Sequence, residues 1–493
     1  MARINTNVSS LISQNNLRRS SDDLAVRLTR LSTGLRINRG ADDPAGLIVS
    51  ERLRSEIRGI DAAIDNSERA SSVIAISEGY LAEVADLLNS VKSLVVKAAN
   101  TGGASQEEID ANQLEIDSAI ESITRISNTA SFAGLQLLNG SLSYLTSGVQ
   151  PSDITGLDVQ SVQFGAASNV AVSVEVVSSA QVGSLFLSGN RPGFTGVLES
   201  GVTLELAGRL GVQSLTFVAG AQLSAVVAGV NLLSDTTGVS ATLVDPTDQS
   251  SGLIFTSRTF GSDAFVSVRK LGQGGNFFST YDQQGGNSVQ RDEGRDVTAI
   301  VNGAVATGDG LKVGLNSPTL ALSLDLTQAF GTTVSGTPST FRITGGGATF
   351  QLGPTVTATQ QTGIGIKSIA ASRIGGTDLG GVRYYLDSLK SGQTNSVVSG
   401  STSAASEVLE TAIIEVSVMR GRLGAFERNT VQTNVNSLQI GRENITSSES
   451  KIRDADFAAE TAALTRAQIL QQAGTSVLAT ANSTAQSILR LLQ

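Results

Sequence analysis

The chain has 493 residues, sets 35 Lys and Arg against 44 Asp and Glu for a formal charge of −9, and contains no cysteine, histidine or tryptophan. Without Cys and His there is no disulfide framework, no thiolate or imidazole metal site, no cysteine nucleophile and no Ser-His-Asp triad. An acidic chain with few aromatics also lacks the basic face and the stacking platform of a nucleic-acid binder.

At roughly 150 residues per domain the length suggests about three domains. Met1 to Gln14 is polar and lacks the apolar stretch of a secretory signal. No apolar run reaches the about 18 residues of a membrane span. By themselves these features predict a soluble, cytoplasmic chain with no membrane insertion.

The first helix is expected over about Asn5 to Leu35, with Leu17, Leu24, Leu28, Leu31 and Leu35 forming one narrow seam at coiled-coil spacing. Gly34, Asn38 and Gly40 break it. Asp43 can cap a second helix, and Pro44 fits its first turn, where the missing N–H costs nothing. Leu53, Ile57, Ile60 and Ile64 begin its stripe and Leu81, Val84, Leu88, Val91 and Val95 continue it, to about Asn100. At 1.5 Å per residue such a helix is about 85 Å long, which predicts a rod. Gly102 and Gly103 turn the chain, and Ser105-Gln106-Glu107-Glu108 has the capping-box pattern before a third helix with Ile109, Ile116, Ile120 and Ile123 on one face.

All but one of the seven prolines lie between Pro151 and Pro354, in a middle rich in Gly, Ser, Thr and Val. Strands are expected at Val170–Val176, Val202–Leu206, Ser214–Val218, Val239–Val244, Leu253–Thr256, Phe265–Arg269 and Leu320–Leu326. A turn at Pro246-Thr-Asp makes a hairpin of two of them. Ala221 to Leu233 has helical periodicity, so the middle reads as an α+β module, with Gly272–Gly275 and Gly345–Gly347 as loops.

Beyond it, Val416, Met419, Leu423 and Phe426 mark a helix from about Ser403 to Ile445. A last helix starts near Asp454, with Leu470, Ala473, Val477, Ala481, Ala485, Ile488 and Leu492 on one face and Leu489 in the same terminal cluster. Gly474 inside it costs about 1 kcal/mol relative to Ala. Long helices with thin stripes cannot bury them alone, so the helices of the two chain ends should pair.

The fold class expected is a mainly α rod of long antiparallel helices from both chain ends, coiled-coil-like, with a β-rich α+β outer domain inserted in the middle. The domains are 1–42, an N-terminal inner helix; 43–169, rod helices and the start of the β region; 170–395, the outer insertion; 396–453, a C-terminal rod helix; and 454–493, a C-terminal inner helix.

No catalytic, cofactor or metal constellation emerges. Gly363-Ile-Gly-Ile-Lys367-Ser368 lacks the glycine before its lysine and is not a phosphate loop. Asp454 and Asp456, like Asp42 and Asp43, sit where acidic residues favour a helix start. Arg18, Arg19, Arg27, Arg30, Arg36 and Arg39 line the first helix and its exit, either as a solvated face or as partners across an interface.

Four segments carry a resemblance. Leu31-Ser-Thr-Gly-Leu-Arg-Ile-Asn38 followed by Ala41-Asp-Asp-Pro-Ala-Gly-Leu47 resembles the N-terminal signature of bacterial flagellins, and Ala467-Gln-Ile-Leu-Gln-Gln-Ala-Gly-Thr-Ser-Val-Leu-Ala479 is similar to their C-terminal signature. Arg422-Leu-Gly-Ala-Phe-Glu-Arg428 and Ile452-Arg-Asp-Ala-Asp-Phe-Ala458 look like two further family motifs. The middle resembles, through Val202-Thr-Leu-Glu-Leu-Ala-Gly208 and Gly238-Val-Ser-Ala-Thr-Leu243, the insertion module of some flagellins and filament-cap proteins.

The resemblance implies an extracellular filament subunit whose partners are copies of itself, hook-associated and cap proteins, an export chaperone and the flagellar type III export apparatus. Export by that route overturns the cytoplasmic expectation. The inner filament interface would use Leu17, Leu24, Leu28, Leu31, Leu35, Leu470, Val477, Ile488, Leu489 and Leu492. The rod interface would use Leu53, Ile57, Ile60, Ile64, Leu88, Val91, Leu94, Leu423 and Phe426. Many flagellins carry an arginine that an innate receptor reads together with a leucine and a glutamate; Leu94 and Glu115 match, but the arginine position is Ser90, which weakens that partner. Two other readings compete: a hook–filament junction protein, whose ends are similar, and a surface adhesin or glycan-binding protein, suggested by the Gly/Ser/Thr-rich middle. A metallopeptidase insert needs histidines that this chain lacks.

Overall fold

The computed structural model describes residues 6–165, 167–188, 195–272, 274–275, 277–334, 336–379 and 381–491, with side chains omitted at 188 and 485–491. The chain divides into two compact units. One takes Met1–Ile74, Gln351–Gln360 and Leu423–Gln493; the other takes Ala75–Phe350 and Gln361–Arg422.

In the first unit α1 spans Val8–Thr33. The Asn7 side chain caps it by accepting from the Ser10 N–H at 3.1 Å, and Gly34 ends it in the left-handed region. Asp43 accepts from the Gly46 N–H at 2.9 Å to start α2, Pro44–Ala98, of which Pro44–Ile74 belongs to this unit. Asp42 instead accepts from the Asn38 and Arg39 N–H groups and folds the loop between the helices.

After the insertion, α8 spans Thr433–Arg453 and α9 Phe457–Leu491. Asp456 caps α9 by accepting from the Ala458 and Ala459 N–H groups; Asp454 lies past the end of α8 and does not cap α9. Ile60 and Ile64 of α2 pack with Val435, Leu438 and Ile445 of α8. The segment Gln351–Gln360 closes against both: Leu352 O accepts from Asn434 Nδ2 at 2.7 Å, and a Cβ at Gly59 would stand 3.1 Å from Pro354 O.

The helix expected from Ser403 to Ile445 is interrupted. A π-helical segment covers Glu427–Gln432 between α8 and the helix before it. Leu423, Val431 and Val435 are all buried, yet a regular helix would turn residues 423 and 431 about 80° apart. The wider π turn absorbs that offset, with Glu427 held by the Ser71 hydroxyl.

The second unit holds Ala75–Ala98 of α2, α3 at Gln106–Thr129, and two β modules. The Ser105–Glu108 capping box is formed in both directions. Buried Gln113 of α3 binds the chain where it leaves the β region, donating to Leu389 O and accepting from the Val397 N–H.

An eight-stranded antiparallel sheet runs in the order Tyr144–Ser147, Ser339–Gly346, Val170–Ser178, Thr298–Val301, Ala304–Asp309, Lys312–Asn316, Leu320–Leu326 and Ile154–Val162. Its members at 144–162 precede residue 170, so the expected boundary of the outer segment cuts through this sheet. Gly345 and Gly346, expected in a loop, end one of its strands at a register shift, and their positive φ angles allow the irregularity.

The other module pairs two four-stranded sheets around Leu185, Leu206, Val226, Phe255 and Val266, with α4 at Leu223–Leu232 on the core. Two short helices, α5 at Ser234–Thr237 and α6 at Gln328–Gly331, punctuate the modules. From there α7, Thr402–Phe426, leads back toward the C-terminal helices. Lys92 of α2 and Glu410 of α7 form an ion pair at 3.9 Å.

Candidate assembly interface

The helices of the two chain ends pair antiparallel. Asn7 Nδ2 donates to Ala481 O at 3.0 Å, Gly474 lies against Leu17, and Arg27 meets Glu460. The linkers cross beside them in a short antiparallel bridge between Leu35 and Asp454, with the Ala455 N–H donating to Gly34 O and the Arg36 N–H to Arg453 O.

The inward side of α1 follows steps of three and four: Ser10, Ser13, Leu17, Ser20, Leu24, Arg27 and Leu31, all buried or half-buried. The inward side of α9 does the same through Glu460, Leu464, Ala467, Gln471, Gly474, Leu478 and Ala481. Serine, alanine and glycine alternate with leucine, and the backbones approach closely where Gly474 faces Leu17.

Glu460 is the charged member of that inner row on α9. Its carboxylate accepts from Arg27 Nη1 at 2.9 Å and from Arg30 Nη1 at 3.0 Å, and the residue is 7% exposed. Burial pushes its pKa up, but the hydrogen bonds and charges of the two guanidinium groups outweigh this and hold it below the usual carboxylate range. Of the six arginines noted in the sequence, Arg27 and Arg30 therefore serve the chain's own helix pair.

Leu17, Leu24, Leu31 and Leu35 lie on or beside the inward seam of this chain's own pair. Leu28, Leu470 and Val477 do not: they are 50%, 51% and 56% exposed. Periodicity marked the face of α9 through Leu470 and Val477, whereas the pair is built on the face through Leu464, Ala467, Gly474 and Leu478. Leu470 and Val477 would hold the backbones apart; Ala467, Gly474 and Ala481 let them close. Val8, Leu11 and Ile12 on α1 and Ile469 on α9 are exposed too, and sequence reasoning missed them. The side chains of Ile488, Leu489 and Leu492 lie outside the described residues.

Of the residues expected at a rod interface, Ile60, Ile64, Leu88, Val91, Leu94 and Leu423 are buried by this chain itself, and Leu53, Ile57 and Phe426 are half-buried. Large apolar groups left exposed on these helices include Ile48, Val49, Ile76, Val96, Ile414 and Val418, with Leu114 on α3 and Ile440 on α8. Ser90 and Glu115 are exposed, but Leu94 is interior, so the receptor-like triplet does not form one surface. Among the described residues no helix is long and apolar enough to cross a membrane, and no cluster of acidic side chains suits a metal ion.

The family descriptions "Bacterial flagellin N-terminal helical region" and "Bacterial flagellin C-terminal helical region" match residues 4–143 and 406–492. The chain is 30% identical to the B-type flagellin of Pseudomonas aeruginosa, over 99% of both chains. It is 28% identical to a flagellin of Salmonella rubislaw, again over 99% of both. Among solved structures, the D1-D2-D3 domains of the Escherichia coli flagellar cap protein FliD match with a TM-score of 0.31 at 18% identity, covering 47% of this chain and 64% of that one. Whole-length similarity together with both terminal regions assigns this chain to the bacterial flagellins, the structural subunits of the extracellular flagellar filament.

Proposed function

We propose that α1 and α9 act as an antiparallel coiled coil forming the innermost layer of the filament, and that their outward apolar groups are the contacts between subunits. The observation that carries this reading is the set of large apolar side chains that the pair leaves exposed. After the two helices have buried their inward seam in each other, Val8, Leu11, Ile12, Leu28, Ile469, Leu470 and Val477 still face solvent. So many exposed large aliphatics on two paired helices mark an interaction surface. It does not close on itself, so the contacts are heterologous and propagate an open helical polymer.

On this reading residues 1–42 and 454–493 form the inner layer and 43–143 with 396–453 the rod. The β modules, beginning at Tyr144, form the outer part. The exposed face of α9 also suits an export chaperone before assembly, and the filament ends suit hook-associated and cap proteins. Ser90 and the burial of Leu94 disfavour the innate receptor.

Replacing Leu470 and Val477 together by Asp tests the reading. Each buried aliphatic is worth roughly 1.5–3 kcal/mol, repeated at every subunit. Electron microscopy after seeded polymerisation should find no filaments, while circular dichroism keeps the helical signal. Normal filaments from the double variant would remove these side chains from the interface.

A further inference from the structure

The inward rows of the helix pair repeat every seven residues. On α1 leucine recurs at Leu17, Leu24 and Leu31, and the row beside it reads Ser13, Ser20, Arg27. On α9 small residues recur at Ala467, Gly474 and Ala481, and the row beside them reads Leu464, Gln471, Leu478. Sliding one helix by seven residues would keep leucine mostly where leucine was, apart from Gln471, and small residues where small residues were. Such a seam determines that the helices pair, but not at which offset.

Ser10 and Gln471 are neutral exceptions to the leucine rows, and one place sets charge into the seam. Arg27 stands where the row of α1 otherwise has serine, and Glu460 stands where the row of α9 otherwise has a small residue. At the observed offset these two meet, and Arg30 completes the clasp. A slip of seven residues in one direction sets Glu460 opposite Gly34 and Arg27 opposite Ala467. In the other direction Glu460 falls opposite Ser20. Either slip leaves the carboxylate in the seam without its guanidinium partners, which is far costlier than the loss of a surface ion pair.

We propose that Arg27, Glu460 and Arg30 are the register key of the terminal helix pair, the positioning residues that select one offset from several of similar packing. The proposal rests on the reading that this pair is built for assembly. Backbone bonds and the Arg36 guanidinium, which donates to Ile452 O, close the same end at the linkers, and Asn7 donates to Ala481 O at the other; all of these accept on backbone carbonyls, which every offset supplies, so they hold an offset that the key selects. A single polar group in an otherwise repetitive apolar seam is a well-attested way to specify register.

The absence of cysteine makes the offset readable. A Cβ at position 474 would stand 3.8 Å from Leu17 Cβ, the spacing of a disulfide. Leu17→Cys with Gly474→Cys reads the observed offset, and Leu17→Cys with Ala467→Cys or Ala481→Cys reads the two slipped ones. Each pair is made in the full chain and oxidised both in solution and after polymerisation, and the closed loops are counted by gel mobility. With the key intact the observed pair should form at least about tenfold more than either slipped pair, a difference within reach of one broken buried ion pair. Glu460→Gln should narrow that preference to about threefold or less, as should Arg27→Glu with Arg30→Glu, and adding Glu460→Arg to the latter should restore it.

An unchanged preference in both altered backgrounds overturns the key and assigns the register to the linkers. Failure of the charge-swapped chain to recover overturns ion pairing as its basis. Microscopy of the same samples separates this from the wider reading: a parent chain that never polymerises refutes the assembly role, while the crosslinks in solution still score the key.

Discussion

Gly474 of α9 packs on Leu17 of α1 so closely that a Cβ added to the glycine would stand 3.2 Å from Leu17 Cδ1. A glycine that costs helix stability in isolation thus serves the approach of two helices. Gly474→Ala should be nearly neutral, because the half-buried Leu17 side chain can yield a few tenths of an ångström while the helix gains up to about 1 kcal/mol. Gly474→Leu should force the helices apart and abolish polymerisation. Sedimentation of the two variants side by side checks both.

The Glu460 clasp makes the helix pair acid-sensitive. Its folded pKa is depressed, so its contribution is fully present above the ordinary value of 4.5 and is lost as pH falls through the lower folded value. The hydrogen-exchange protection factors of the α1 amides, taken against the intrinsic exchange rate at each pH, should fall below pH 4.5. In Glu460→Gln the added acid sensitivity should vanish, with exchange already fast at neutral pH.

Glu415 of α7 has the opposite sign. Burial raises its pKa; the Gly375 N–H bonded at 3.0 Å and the charges of Lys367 and Arg383 offset this only in part, and Asp325 adds to the rise. A raised carboxyl penalises the folded state above its folded pKa, and the penalty is relieved as pH falls toward 4.5. Glu415→Gln should therefore raise the Tm at neutral pH, since the amide oxygen can still accept from Gly375. A lower Tm would mean that the carboxylate's attraction to Lys367 and Arg383 outweighs its burial.

Tyr144 is wedged into the core of the eight-stranded sheet. Its hydroxyl accepts from the Val162 N–H at 3.2 Å, and a Cβ at Gly347 or Gly365 would stand 2.6 or 2.9 Å from its ring. Gly365→Ala should cost about 1–3 kcal/mol, because its Cβ would stand 2.6 Å from Val159 O as well as against the ring. Tyr144→Phe should cost about 1–3 kcal/mol by leaving a buried N–H without a partner. Denaturant titration of each variant measures both.

Local signals in the sequence were sufficient for most elements. Asp43 with Pro44 and the Ser105–Glu108 box start helices because their bonds are made within one turn. Alternating Val and Leu at 202–208 and 320–326 make strands because one face of each is buried. The family was legible for the same reason: its motifs are contiguous.

What the tertiary structure decided is which surfaces meet. α9 carries one stripe through Leu470 and Val477 and another in which Ala467 and Gly474 lie between Leu464 and Leu478, and the sequence pattern favours the first. The second wins because the area of contact between two helices depends on how closely their backbones approach, a property of both partners together. The π segment at Glu427–Gln432 has the same origin, since only the fixed position of α2 makes the stripe through Leu423, Val431 and Val435 one residue out of step. The pairing of Glu460 with arginines more than 400 positions earlier in the chain follows from that packing as well.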